Sequence, residues 1–162
     1  MIDAGQTAKT EIGGLKEDMI MKITQATDYA ARALIHLARL PGGTMVEAGE
    51  IAECQSIPES FLLKIFRSLA AAGIVGSQRG PGGGFFLRRD PSAVSILDIL
   101  EAVEGRTGIN HCLVDADRCG RHAAGYCSLR RTLASVQNVL TTELARYTVG
   151  DLASREPEPG DA

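Results

Sequence analysis

The sequence predicts a mainly α protein carrying one small two-stranded β element. Three observations lead there. Apolar residues recur at spacings of three and four in several separate segments. The stretch "QRGPGGGFFLRR", residues 78–89, sets four glycines and a proline between the short β-prone runs "IVGSQR" and "FFLRR". The segment from Ser128 to about Thr148 carries an apolar stripe longer than any other in the chain.

Taken in order, residues 1–20 lack periodicity and read as a flexible N-terminal extension, with Met21 as a second plausible start. Thr24 then offers an N-cap. The helix behind it places Ala26, Tyr29, Ala30, Ala33, Leu34, Leu37 and Ala38 at helical spacing, and "LPGG" stops it. A short helix is expected around Val46 to Glu53, carrying Ile51 and Ala52. "QSIPES" turns the chain, with Pro58 at a first-turn position. The next helix, about Glu59 to Ala72, turns Leu62, Ile65, Phe66 and Leu69 inward and ends at Gly73.

The glycine-rich stretch comes next. No helix follows it directly and no Lys-Ser or Lys-Thr pair closes it, which argues against a nucleotide phosphate loop. A hairpin with a tight tip fits better, because glycine supplies positive φ and Pro81 presets its own. "SAVSILDILEAVEG" then reads as a helix capped by Ser95, with Ile96, Ile99, Leu100 and Val103 on its apolar face. The loop "RTGINHCLVDADRCGRHAAGYC" leads into the long helix from Ser128, whose stripe is Leu129, Leu133, Val136, Leu140, Leu144 and Tyr147. The expected organisation is an extension at 1–20, a first unit at 21–90, a second at 91–152, and a disordered tail at 153–162.

Composition sets the class. A chain of 162 residues, 44% hydrophobic and 23% charged, suits one globular domain with an appended element. No run approaches the roughly 20 apolar residues of a membrane span, and the first residues show neither an apolar run nor a cleavage-like site. A cytoplasmic protein without a membrane partner is expected, and there four cysteines suit metal ligation or redox chemistry better than structural disulfides. No Ser-His-Asp set, H-E-x-x-H or phosphate loop is visible, so an enzyme is not expected.

The net charge of −3 hides an uneven distribution. Between Pro58 and Arg89 lie Lys64, Arg67, Arg79, Arg88 and Arg89 against the one acid Glu59. Helix, short helix, turn, helix and glycine-tipped hairpin is the order of a winged helix-turn-helix. There the second helix of the motif enters the major groove and the wing touches the backbone or the minor groove. Double-stranded operator DNA is the expected partner. Glu59, Ser60, Lys64 and Arg67 are the candidate contacts of the helix, and Arg79 that of the wing. The long apolar stripe calls for a partner helix, and operators read by such motifs mirror a two-fold axis, so a homodimer is expected.

The loop carries the candidate chemistry. Cys112, Cys119 and Cys127 follow C-x6-C-x7-C, without the C-x2–4-C knuckles usual in structural zinc sites. Three widely spaced thiols suit an iron–sulfur cluster. Reduced thiols, a redox-labile disulfide and zinc are the other readings.

"MKITQATDYAARALIHLA", "EIAECQSIPESFLLKIFRSLAAAGIV" and "RGPGGGFFL" resemble the Rrf-two (BadM/Rrf-two) family of bacterial regulators, which includes the iron–sulfur regulator IscR and the nitric-oxide sensor NsrR. The resemblance runs from Met21 to about Leu152. It implies a homodimeric winged helix-turn-helix transcription factor with a long C-terminal dimerisation helix, and a 2Fe–2S or 4Fe–4S cluster on the three loop cysteines. IscR-like members supply a histidine three residues past the last cysteine, where this chain has Arg130. NsrR-like members use an aspartate within "TDY" of the first helix, which maps onto Asp28. His111 and His122 are rival ligands in the loop. His36 reads as an ordinary helix-face residue, and Cys54 as a packed small residue. Family members often carry tyrosine, glutamate and glutamine where this chain has Phe61, Leu63 and Lys64, so a different operator preference follows. The expected function is a transcriptional regulator, acting as a repressor, that senses nitric oxide, redox state or iron–sulfur status. The alternative is a cluster-free winged-helix regulator working as a thiol switch or answering to a partner protein.

Overall fold

The computed structural model describes residues 23–106, 108–122 and 125–157. The expected extension at 1–20 and the end of the expected tail lie outside the described residues. Seven α-helices and one hairpin follow in the order α1 (Gln25–Ala38), α2 (Ala48–Gln55), α3 (Glu59–Ala71), β1 (Val75–Gln78), β2 (Gly84–Leu87), α4 (Ile96–Glu104), α5 (His111–Val114), α6 (Ser128–Arg146) and α7 (Val149–Arg155). Short 3-10 turns at Pro91–Ala93 and Ala116–Arg118 complete the path. The mainly α fold with a two-stranded wing is therefore present. Among the described residues no helix is long and apolar enough to cross a membrane.

Local chemistry accounts for most boundaries. The Thr24 hydroxyl caps α1 by accepting from the Ala26 amide. Ser95 and Asp98 form a reciprocal capping box at the start of α4. Pro58 stands one place ahead of its expected position. It is the N-cap of α3, and its carbonyl accepts from the amides of Phe61 and Leu62.

Two expectations need correction. The second helix begins at Ala48 rather than near Val46, because Val46 pairs with the wing. Its amide donates to the Phe85 carbonyl at 3.0 Å and its carbonyl accepts from the Phe85 amide at 2.8 Å. A β-branched residue favours that extended role. The long helix also stops at Arg146 instead of about Thr148. Tyr147 is extended, and Thr148 opens α7 with its own capping box to Asp151. The tail expected at 153–162 thus starts inside a helix that runs to Arg155.

The core gathers α1, α2, α3, α4, the hairpin and α7. Leu34, Ile51, Leu62, Phe66, Ile99 and Val149 are completely or almost completely buried. Phe66 of α3 meets Phe85 of β2 edge to face at 4.6 Å, so the hairpin is locked to the helix it follows. β1 and β2 pair antiparallel from Val75–Leu87 to Gln78–Gly84. At Gly84 a Cβ would lie 2.5 Å from the Val46 carbonyl oxygen, so a side chain there would force the backbone apart. Thr27 is a buried polar side chain, and its hydroxyl donates to Glu104 Oε1 at 2.8 Å. The Thr24 hydroxyl donates to the same oxygen.

Partial burial pushes the Asp98 carboxyl up, but the Ser95 hydroxyl and amide and the nearby Arg89 outweigh it and hold it below its usual range. A carboxyl depressed by folding adds stability above its unfolded pKa and loses it as pH falls through the folded value. Asp98→Ala should therefore lower unfolding free energy near neutral pH by about 1 kcal/mol, the usual worth of a cap. In urea titrations the gap between variant and parent should close as the pH is lowered into and below the carboxylate range. A gap that stays constant with pH would show that the carboxylate charge contributes nothing.

Candidate nucleic-acid interface and cysteine loop

The recognition surface follows from the amphipathic pattern of α3. Leu62, Ile65, Phe66 and Leu69 face the core, which leaves Glu59, Ser60, Lys64 and Arg67 exposed on the outer side. Leu63 and Phe61 are also exposed, at 40% and 36%. Phe61 stands edge-on to Tyr29 of α1, with ring centroids 5.8 Å apart, and the Arg32 guanidinium lies 5.6 Å from the Tyr29 centroid. Arg79 follows β1 and is exposed, as are Gly80, Pro81 and Gly82 at the tip of the wing. Gly80 and Gly82 have φ of 101° and 71°, which a residue without Cβ adopts freely. All five candidate DNA contacts are thus open to solvent. Arg89, counted in the basic region from sequence, is differently occupied. It donates to the Ala93 carbonyl and lies 3.7 Å from Asp98, which makes it a support for α4.

The three loop cysteines form no disulfide and are half-buried. Cys112 lies in α5, which is capped by Asn110; the Cys112 amide donates to Asn110 Oδ1 at 3.3 Å. Cys119 follows the 3-10 turn at Ala116–Arg118. Cys127 is the N-cap of α6, and its Sγ accepts from the Arg130 amide at 3.5 Å. A sulfur at that place faces the positive end of the helix. The Arg130 side chain reaches back, and its Nε donates to the Cys112 carbonyl at 3.0 Å. One residue therefore touches both ends of the cysteine segment.

Asp28 stands apart on α1. Its side chain is 57% exposed and pairs with Arg32 at 3.6 Å. Among the described residues, no three His, Cys, Asp or Glu side chains of one protomer are grouped to hold a metal ion. His122 is exposed, with a left-handed φ of 50°. His111 Nδ1 is buried without a hydrogen-bond partner.

Cys54 is exposed, not packed. The inward positions of α2 are taken by Ile51 and Ala52, which turns Cys54 outward. There its Sγ lies 3.7 Å from His36 Nδ1, so His36 is more than an ordinary face residue. Neither this pair nor the role of Arg130 is visible in local sequence, since each depends on a contact between separate elements.

A family described as "Iron-dependent Transcriptional regulator", Rrf2, matches residues 23–155. Among solved structures, the chain is similar to CymR (YrzC), the global cysteine regulator of B. subtilis. Identity is 28%, with 85% of this chain and 100% of that one covered, and a TM-score of 0.63. It is similar to T. potens IscR at 25% identity, covering 87% and 92% of the two chains with a TM-score of 0.66. A transcriptional regulator from Listeria innocua matches at 26% identity over 89% and 95%, with a TM-score of 0.67. Sequence, hairpin and helical frame agree, and the chain belongs to the Rrf2 (Rrf-two) family of DNA-binding transcriptional regulators, which are not enzymes.

Proposed function

We propose that this regulator is a homodimeric repressor that binds operator DNA through α3 and the wing and senses nitric oxide, redox state or iron–sulfur status at its cysteine loop. The observation that carries the reading is the cysteine loop itself: three free, half-buried cysteines, one of them capping α6, with Arg130 touching both Cys112 and Cys127. The donor set fits an iron–sulfur cluster, since cysteine sulfurs are its usual ligands. Cys112, Cys119 and Cys127 would hold it, with Asp28 of a second copy as the oxygen ligand. Bound there, a cluster of three thiolates and one carboxylate supplies an iron open to nitric oxide or oxidant.

The chain's own residues do the rest. Asp28 must give up Arg32 to serve a partner's loop. Glu104, at the end of α4 and just ahead of the loop, holds Thr24 and Thr27 at the start of the helix that carries Asp28. A change in the loop thereby bears on the DNA-binding motif. The dimer reading rests on α6, a helix of 19 residues of which none is fully buried in the protomer. Leu129, Val136 and Val139 are 62%, 52% and 70% exposed, and Leu140 is 38% exposed. Such a surface suits a matching helix from a second copy.

The deciding experiment is the visible spectrum of anaerobically purified protein. A brown protein with stoichiometric iron and sulfide supports the reading. Colourless protein, or zinc in place of iron, would move the signal to the cluster-free alternative, in which the same thiols switch directly or a partner protein delivers it.

At the wing, Arg79→Ala should weaken operator binding and reduce the slope of log K against log salt by about one, the signature of one lost phosphate contact. Equal affinity for parent and variant at matched salt would remove Arg79 from the interface.

On α6, Leu140→Asp should raise the dimer dissociation constant by at least about tenfold, since a charge on the stripe resists desolvation. Sedimentation showing a parent monomer at micromolar concentration would sink this idea, as would an equally tight variant dimer.

In the loop, any one of Cys112→Ala, Cys119→Ala or Cys127→Ala should abolish or strongly destabilise the visible chromophore. Asp28→Ala should be milder, giving a changed spectrum and faster bleaching by nitric oxide or oxygen. If Asp28→Ala matches the parent while His122→Ala perturbs the spectrum, the fourth ligand belongs to the loop.

A further inference from the structure

The outer face of α3 carries one side chain out of keeping with its neighbours. Glu59, Ser60, Lys64 and Arg67 are polar and exposed, and Leu63 stands among them at 40% exposure. Ser60 lies three positions before it and Arg67 four positions after, so the three share one stripe of the helix. The inward face is already complete with Leu62, Ile65, Phe66 and Leu69. Leu63 belongs neither to the core nor to the apolar residues packed on its rim. Phe61, the other large apolar side chain left exposed on this helix, is engaged edge-on by Tyr29 of α1. Leu63 is thus an apolar group outside the core, set beside two cations in the second turn of α3.

We infer that Leu63 is a specificity-determining residue that reads the C5-methyl group of thymine, which rests on the reading of α3 as the helix that enters the major groove. The floor of that groove presents hydrogen-bond donors and acceptors on every base pair and one apolar group, the thymine methyl. Leucine neither donates nor accepts. A hydrogen-bonding base edge pressed against it loses its water and gains no partner. Against the methyl, both surfaces leave water and nothing polar is stranded. The N-terminal part of a recognition helix is the part that meets base edges, and Leu63 lies there. Lys64 and Arg67 on α3 and Arg79 on the wing give the surrounding face the charge that a duplex answers. Phosphate contacts of that kind position the helix, and the side chain between them selects the base.

The experiment starts by selecting duplexes on full-length protein from a pool with a randomised core. In the selected duplex each thymine is then replaced, one at a time, by deoxyuridine, which removes the methyl and keeps the hydrogen-bonding edge. Dissociation constants are measured at fixed salt for the parent and for Leu63→Ala. At one thymine the replacement should weaken the parent by about fourfold, the worth of one buried methyl group. Leu63→Ala should bind the thymine and deoxyuridine duplexes with nearly equal affinity at that position. Arg79→Ala should weaken both duplexes together and keep the fourfold preference. If the selected duplexes hold no recurrent thymine, if no replacement affects the parent, or if Leu63→Ala keeps the parent's preference, Leu63 does not read the methyl, while α3 still reads DNA. A parent that enriches no sequence over the starting pool would remove the groove reading of α3 itself, and the methyl contact with it.

Discussion

Two threonine hydroxyls from the start of α1 converge on one carboxylate oxygen of Glu104, a clasp that ties the start of α1 to the end of α4. Thr27 is almost completely buried, so its hydroxyl must find a partner inside the protein. Glu104 ends α4, where a negative charge is poorly placed by that helix's own dipole. It is well placed at the N-terminus of α1, which receives it. Hydrogen bonds to a charged acceptor contribute about 1.5–3 kcal/mol each, so the clasp is a substantial fraction of a small domain's stability. It also fixes geometry, because α1 leads into the DNA-binding motif and α4 leads into the cysteine loop.

Much of the frame is legible in local sequence. Thr24 and Ser95 announce their helices because a capping side chain acts within three residues of itself. The inward face of α3 shows in the spacing of Leu62, Ile65, Phe66 and Leu69, and the tip of the wing in its glycines. What escaped depends on residues far apart in the chain. Thr24 and Glu104 are 80 positions apart, and nothing near either one names the other. Val46 reads as helical in isolation because its pairing with Phe85 is invisible until the hairpin folds back. The break at Tyr147 had a local signal in Thr148 and Asp151, a capping box hidden inside an apolar stripe that reads as continuous. Cys54 looks packed by residue type alone, while the orientation of α2 leaves it exposed.

The contrast between α1 and α6 marks a limit of periodicity. Both carry apolar stripes at helical spacing. In α1 the stripe vanishes into the core, with Ala30, Ala33 and Leu34 fully covered. In α6 no residue is fully buried, because α4 and α5 shield one side of it and α7 turns away to pack on α1. Spacing reveals which face is apolar, while the cover for that face is set by the whole chain or by another copy of it. The same holds for the cysteines. Their number and spacing single out the segment, but the residue that joins its two ends, Arg130, is neither a cysteine nor a histidine.

Arg130 has a consequence for how the two ends of the cysteine segment are held. Its side chain joins α6 to the carbonyl of Cys112, 18 positions earlier, so the segment is already a closed ring in the folded protein. Closing a flexible loop of that length costs about 2.5 kcal/mol of chain entropy. Folding meets that cost in advance, so Cys112 and the start of α6 stay near one another without help from any bound group. Arginine at this position thus acts as an internal strut: one side chain spans the segment and fixes where its two ends lie.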